Sequence, residues 1–189
     1  MPIFVNTFFE KRVQDLFDLA ARVNEAFVSA GLGYRVVGTL AAYLYVEERE
    51  PDAGRLTKDI DICVRREDLP EIAEAVAPFG LQHRHVAGVD MLVQVNQPSA
   101  RRAVHLVFAG EKVRPDYSEP APQLGTAHVI QGVPLIGLAD LIRMKLTSFR
   151  LRDQTHLKDL DEVGLITGEI ERELPEALRS RLAKVRAQD

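Results

Sequence analysis

From Asp59 to Val64 the chain reads Asp-Ile-Asp-Ile-Cys-Val, an alternation with a period of two. That period marks a β-strand, whose successive side chains point to opposite faces. Ile60, Ile62 and Val64 then share one face, and Asp59, Asp61 and Cys63 share the other. Two carboxylates at i and i+2 stand side by side and repel each other unless a divalent cation lies between them. Mg²⁺ suits such a pair, because it takes one or two carboxylates and keeps the rest of its shell for substrate phosphates and water. A solvated strand face also accounts for an isolated Asp-x-Asp, so the surrounding sequence has to discriminate.

From Phe9 to Ala30 the apolar residues, from Val13 through Leu16 and Val23 to Phe27, recur every three or four positions, which predicts an amphipathic helix ended by Gly31 and Gly33. Tyr34 to Val37 reads as a short strand, Gly38 as a turn, and Thr39 as the cap of a second helix over roughly Leu40 to Glu48. Strand-like runs follow at Leu81 to Val86, Met91 to Asn96 and Ala103 to Ala109. The Pro-rich, polar stretch from Arg114 to Gly125 predicts a long surface loop. A last hairpin is expected around Gln131-Gly132, and from Leu138 onward the period is helical with a break near Thr167-Gly168. These elements predict an α+β fold, a mixed β-sheet flanked by helices. The expected division is a core over 1–136 and a C-terminal helical segment over 137–189 packed on it.

Composition narrows the function. With 189 residues, 46% of them hydrophobic, the chain can bury one sizeable core. Lys and Arg number 24 against 28 Asp and Glu, a net charge of -4, which argues against a general DNA binder. Arg65-Arg66, Arg84, Arg101-Arg102 and Arg114 leave room for a local basic surface, but nucleic acid binding is unsupported by the overall acidity and by the absence of an aromatic-rich sheet signature. The single cysteine, Cys63, allows no internal disulfide and no cysteine-based metal site, which fits a reducing cytoplasm. The apolar stretch around Val36 to Val46 falls short of the roughly 20 residues that span a bilayer, so the expectation is a soluble cytoplasmic protein with no membrane association. No Gly-rich P-loop, Gly-x-Ser-x-Gly or His-Glu-x-x-His motif is present. His83 and His85 are spaced to pair on a strand but lack a third ligand nearby, so they are read as surface residues.

The strand-turn-helix Val36-Val37-Gly38-Thr39-Leu40 precedes the carboxylates. Its glycine admits close backbone approach, and a hydroxyl beside helix N-terminal amides can hold phosphate oxygens. Together these elements resemble the nucleotidyltransferases of the DNA polymerase β superfamily. More narrowly, Arg55, Thr57, Asp59, Ile60 and Asp61 are similar to the Arg-x-Thr-x-Asp-Ile-Asp signature of AbiEii-type minimal nucleotidyltransferases. A second similarity lies downstream, where Lys145, Arg152, Asp153, His156 and Asp159 match the basic helix of AbiEii-type proteins. Read as one helix at about 100° per residue, Lys145, Arg152, His156 and Asp159 fall on a single stripe.

The resemblance implies transfer of a nucleotidyl group from an NTP, with Mg²⁺ or Mn²⁺, to a hydroxyl-type acceptor that the sequence leaves unidentified. It implies that Asp59 and Asp61 hold the metal, while Gly38, Thr39, Arg55, Thr57, Lys145 and Arg152 bind the nucleotide. Three features depart from the family pattern. Thr39 stands where Gly or Ser is usual, and the segment between Thr39 and Asp59 is longer than usual. The third carboxylate that many members carry on a later strand is replaced by His105. Histidine can serve as a general base near neutral pH, and Glu111 or Asp116 in the next loop are candidates to replace the missing acid. The alternative is a catalytically impaired member that acts by binding nucleotide or a partner protein, as in a toxin-antitoxin pair.

Overall fold

The computed structural model describes residues 4–54, 59–96, 98–99 and 102–188, with side chains described from Gln14 onward. The amphipathic period produces α1 (Phe4–Ser29), which buries Leu16, Leu19, Val23, Ala26 and Phe27. Gly31 closes it at φ +68°, a left-handed turn that returns the Leu32 N–H to the Phe27 carbonyl at 2.9 Å. β1 (Arg35–Val37), α2 (Gly38–Arg49), β2 (Ile60–Val64) and α3 (Leu69–Val76) follow. Next come β3 (Leu81–Val86), β4 (Val89–Gln94), β5 (Val104–Phe108), β6 (His128–Ile130) and β7 (Val133–Leu135). Four helices complete the described chain: α4 (Leu138–Ser148), α5 (Leu151–Glu162), α6 (Gly168–Glu173) and α7 (Glu176–Arg186). None of the described helices is long and apolar enough to cross a membrane.

The strands form one mixed sheet in the order β3-β4-β5-β2-β1-β7-β6. β2 runs parallel to β5 and antiparallel to β1, β1 runs parallel to β7, and an antiparallel hairpin sits at each edge. This is the α+β architecture expected, with helices on both faces. α1 covers the face that carries Val36, Ile60 and Ile62, while α4 faces Val37, Asp61 and Val107. α4 and α5 pack on α2 and on each other, and one continuous apolar cluster takes in Val36, Ile62, Leu141, Leu146, Leu157 and Leu182.

Three local expectations are corrected. β4 starts at Val89, because Ala87 and Gly88 both hold positive φ and make a two-residue turn that pairs Val86 with Val89. α2 starts at Gly38 with Val37 in the capping position, so Thr39 lies inside the first turn and makes no capping bond. The stretch from Lys145 to Leu160 is two helices. Phe149 takes φ +49° and ends α4, and Arg150 opens α5 in a capping box with Asp153. Lys145 therefore shares no stripe with Arg152, His156 and Asp159.

Candidate active site

The register of the central strands assembles the site. Val37 pairs with Asp61 across β1 and β2, which brings Gly38, the residue after Val37, against the Asp61 side chain. Gly38 sits at φ +69°, and a Cβ added there would overlap Asp61 Oδ2 and lie 3.0 Å from Cγ. The chain turns there into α2, whose first amides have no partner within the helix and carry the positive end of its dipole. On the other side of β2, Asp61 pairs with His105 of β5, and His105 Nδ1 lies 3.4 Å from Asp61 Oδ1. Asp59 precedes β2, and Arg152 in the first turn of α5 reaches to 3.8 Å from its Oδ2. Both aspartates keep about a third of their side-chain surface exposed, 34% and 32%.

Behind them lies a buried polar cluster where α4 meets α5. Lys145 is 3% exposed. Its Nζ stands 3.0 Å from His156 Nδ1 and 3.9 Å from Asp153 Oδ1. Burial pushes the Lys145 ammonium down to about 8, against the attraction of Asp153 and Asp61. Asp153 accepts from Ser148 Oγ at 2.5 Å and from Arg150 Nε at 2.8 Å. Burial opposes its charge, yet the bonds from Arg150 and Ser148 hold its carboxyl below the usual carboxylate range.

A cleft of about 260 Å³ opens over these groups. Its floor is Val37, Gly38, Asp61 and Val107. One wall is Leu141, Met144, Lys145, Thr147 and Ser148 of α4 with Arg150 and Asp153, and the other includes Val113, Arg114, Tyr117 and Glu119.

The structure thus brings Gly38, Asp61 and Lys145 to the cleft, with His105 against Asp61 and Arg152 against Asp59 beside it, while Thr39 follows Gly38 in the first turn of α2. Arg55 and Thr57 lie outside the described residues. Glu111, in the turn after β5, is taken up by an ion pair with Arg66 at 2.5 Å, and neither it nor Asp116 is among the residues lining the cleft. His83 and His85 both bond Asp90 Oδ1, at 2.8 and 3.0 Å, away from the cleft. Sequence reasoning missed the roles of Ser148 and Arg150 as partners of Asp153. The Arg150-x-x-Asp153 spacing of a helix start was the signal available. It also missed Tyr117, which nothing in the composition of its loop marks.

The donor set fits one hard cation. Among the described residues no three His, Cys, Asp or Glu side chains converge as a metal cage. Asp59 and Asp61 supply the two carboxylates that Mg²⁺ combines with phosphate oxygens and water.

No protein-family model matches the chain, and no curated protein sequence matches it. Among solved structures it is similar to an antigenic nucleotidyltransferase-like protein from Paracoccidioides brasiliensis, at 17% identity and a TM-score of 0.58 over 93% of this chain and 89% of that one. It is also similar to ANT(2")-Ia, solved in complex with adenylyl-2"-tobramycin, at 14% identity and a TM-score of 0.52 over 90% of this chain and 97% of that one. These likenesses show the fold: a mixed sheet flanked by helices in the nucleotidyltransferase arrangement.

Proposed function

We propose that the protein is a metal-dependent nucleotidyltransferase that moves a nucleotidyl group from an NTP to a hydroxyl-type acceptor. The observation that carries this reading is the backbone of Gly38 pressed against Asp61, at the point where a helix N-terminus faces a carboxylate pair. That combination suits a metal-bound triphosphate. The narrower assignment to the AbiEii-type group rests on the residues quoted above from Arg55 to Asp61 and from Lys145 to Asp159.

In this reading Asp59 and Asp61 hold Mg²⁺ or Mn²⁺, which neutralises phosphate charge and acidifies the acceptor hydroxyl when bound. The first amides of α2, with Gly38 and Thr39, cradle phosphate oxygens. Arg55 and Thr57 join the nucleotide site by resemblance alone. Arg152 contributes positive charge at the mouth. Lys145, with its value at about 8, is mostly protonated at neutral pH and contributes charge from below. The acceptor oxygen forms a bond to the α-phosphorus as the bond from that phosphorus to the pyrophosphate oxygen breaks. His105, beside Asp61, takes the acceptor's proton. Residues 1–136 form the catalytic core, and 137–189 a helical segment that closes over it.

A second reading is favoured by one observation, the histidine at position 105 opposite Asp61. Here the site binds nucleotide or a partner protein without turnover, as in a toxin-antitoxin pair. The test is a thermal-shift series of the wild type and Asp59→Asn against each NTP, with and without Mg²⁺ or Mn²⁺. Ligand at 100 times its dissociation constant stabilises by about 2.7 kcal/mol, or roughly 5–10 °C for a chain of this size. A metal-dependent shift that disappears in Asp59→Asn supports the first reading. No shift with any nucleotide, in a folded protein, overturns it and turns the search to protein partners.

A further inference from the structure

Arg152 is the second residue of α5, in the first turn of that helix, and 67% of its side chain is exposed. A cation there lies against the positive end of the helix dipole, so the helix itself does not favour it. Arg150, at the cap of the same helix, has its charge answered by Asp153 at 2.8 Å. Arg152 instead reaches out of the helix to the carboxylate that precedes β2, with its Nη1 3.8 Å from Asp59 Oδ2. An exposed ion pair of this kind adds little to stability. Its effect on what Asp59 can bind is larger.

Asp59 and Asp61 are the carboxylates assigned to the divalent cation in the proposed function, and the inference rests on that reading. A cation held by either oxygen of Asp59 stands close to the guanidinium, and like charges at short range repel. Arg152 and the cation therefore compete for one carboxylate. Asp61 is attended differently. His105 Nδ1 lies 3.4 Å from its Oδ1 but belongs to an interior strand of the sheet, and the Lys145 ammonium that Asp61 attracts is buried. Arg152 carries its charge on a long, exposed side chain and can move away. We propose that Arg152 is an exchangeable counter-ion of Asp59: it holds the carboxylate against a lone divalent cation and releases it when a phosphate anion arriving with the cation takes over the guanidinium. A guanidinium meets phosphate and carboxylate with the same fork of donors, so one charge-assisted contact replaces another. Cation and anion binding are then linked, and each favours the other by the same factor.

Titration calorimetry on the whole chain, with Mn²⁺ alone and with Mn²⁺ plus inorganic triphosphate as probes, reads the exchange without turnover. Arg152→Gln removes the charge and keeps an exposed, helix-compatible side chain, so the variant folds as the wild type does. It should bind Mn²⁺ alone about two- to fivefold more tightly than the wild type, the scale of an exposed ion pair, and Mn²⁺-triphosphate more weakly. Arg152→Lys, which keeps the charge, should stay near the wild type for Mn²⁺ alone. Arg84→Gln removes an equal charge from an exposed position on the edge strand β3 and should leave Mn²⁺ affinity unchanged. The inference is overturned if Arg152→Gln binds Mn²⁺ alone no more tightly than the wild type, if Arg84→Gln gains as much, or if Arg152→Gln gains equally for Mn²⁺-triphosphate. Any of these results, in a wild type that binds Mn²⁺-triphosphate, removes the counter-ion role and leaves the nucleotidyltransferase reading standing. If the wild type binds neither Mn²⁺ nor Mn²⁺-triphosphate, that reading falls, and this inference with it.

Discussion

Gly38 and Asp61 meet so closely that the space a Cβ would take on one is filled by the carboxylate of the other. Position 38 is constrained a second time by its φ of +69°, which costs a residue with a Cβ roughly 1–2 kcal/mol. Gly38→Ala must therefore strain the turn and push Asp61 away from the start of α2. We expect the variant to fold, with unfolding free energy reduced by about 1–2 kcal/mol and the melting temperature lowered by roughly 2–8 °C. Its affinity for Mg²⁺-NTP should fall far more than its stability. Urea titration and calorimetry on the same preparation check both. A Gly38→Ala protein that binds nucleotide as the wild type does would remove this contact from the site.

His105 faces Asp61 across parallel strands, at the position where a further acid would complete a carboxylate cluster. His105→Asp places a second negative charge opposite Asp61. Like charges directly opposite one another in a sheet destabilise it. A cation bound between them reverses the effect by mass action. The variant should melt below the wild type in chelator and gain more than the wild type on addition of Mg²⁺. Equal Mg²⁺ increments in the two proteins would show that His105 does not border the cation position.

The central strands were legible because their physics is local. The alternation in Ile60, Ile62 and Val64 fixes which face Asp61 takes, and the Gln131-Gly132 turn fixes the last hairpin, with φ values of +50° and +79° as such turns require. The corner between α4 and α5 was not legible, because nothing in Thr147-Ser148-Phe149-Arg150 interrupts a helical period. It is made by distant partners. Arg181 of α7 donates to the Leu146 and Thr147 carbonyls, both at 2.7 Å, and its guanidinium lies 5.2 Å from the Phe149 ring centre. Those carbonyls are the acceptors a helix leaves unpaired at its end. A single-helix reading thus put Lys145 beside Arg152 on a surface stripe, whereas the fold buries Lys145 against His156 and leaves Arg152 exposed beside Asp59. The loop from Arg114 to Gly125 is a similar case. Its composition predicts surface, but Ala121 and Leu124 are buried and anchor the wall that holds Tyr117.

Burial lowers the Lys145 ammonium from the ordinary 10.5 to about 8. Between those values the unfolded chain keeps a proton that the folded protein has released. Stability from this group therefore rises with pH from about 8 to 10.5, and below 8 the full cost of burying the charge is present. The Cys63 thiol acts in the opposite sense at higher pH, since burial pushes it up to about 12. Comparing wild type with Lys145→Met cancels that contribution. The stability of Lys145→Met relative to wild type should fall by about 3 kcal/mol from pH 7 to pH 10.5. A bound triphosphate favours the charged lysine, so nucleotide affinity of the wild type should weaken as pH rises through 8. Denaturant curves for the two proteins that stay parallel from pH 7 to 10.5 would sink this account of Lys145.

Asp153 holds the α4–α5 corner together. Its carboxylate accepts from Ser148 at the end of α4 and from the side chain and, at 3.3 Å, the backbone N–H of Arg150 at the start of α5. It also stands 3.9 Å from Lys145 and is the nearest buried counter-charge to that ammonium. Removing it leaves a buried cation facing a void, the situation in which breaking a buried pair costs about 3–5 kcal/mol. Asp153→Ala should lose stability on that scale. Asp153→Asn should lose less, because the amide oxygen can still accept from Ser148 or Arg150 while the charge on Lys145 goes unanswered. The pH dependence has a definite sign. The folded carboxyl lies below its unfolded value, so its contribution is complete above about pH 4 and is lost as pH falls through the folded value. Asp153→Ala should therefore lose less stability than the wild type when acidified from pH 5 to 2. With Lys145 stripped of its counter-charge, burial acts on it with less opposition, so the wild-type rise in stability above pH 8 should begin at lower pH in the variant. Urea titrations from pH 2 to 10 follow both ends of the curve. A loss under 1 kcal/mol at pH 7 with an unchanged acid limb would show that the corner is held by Arg181 alone.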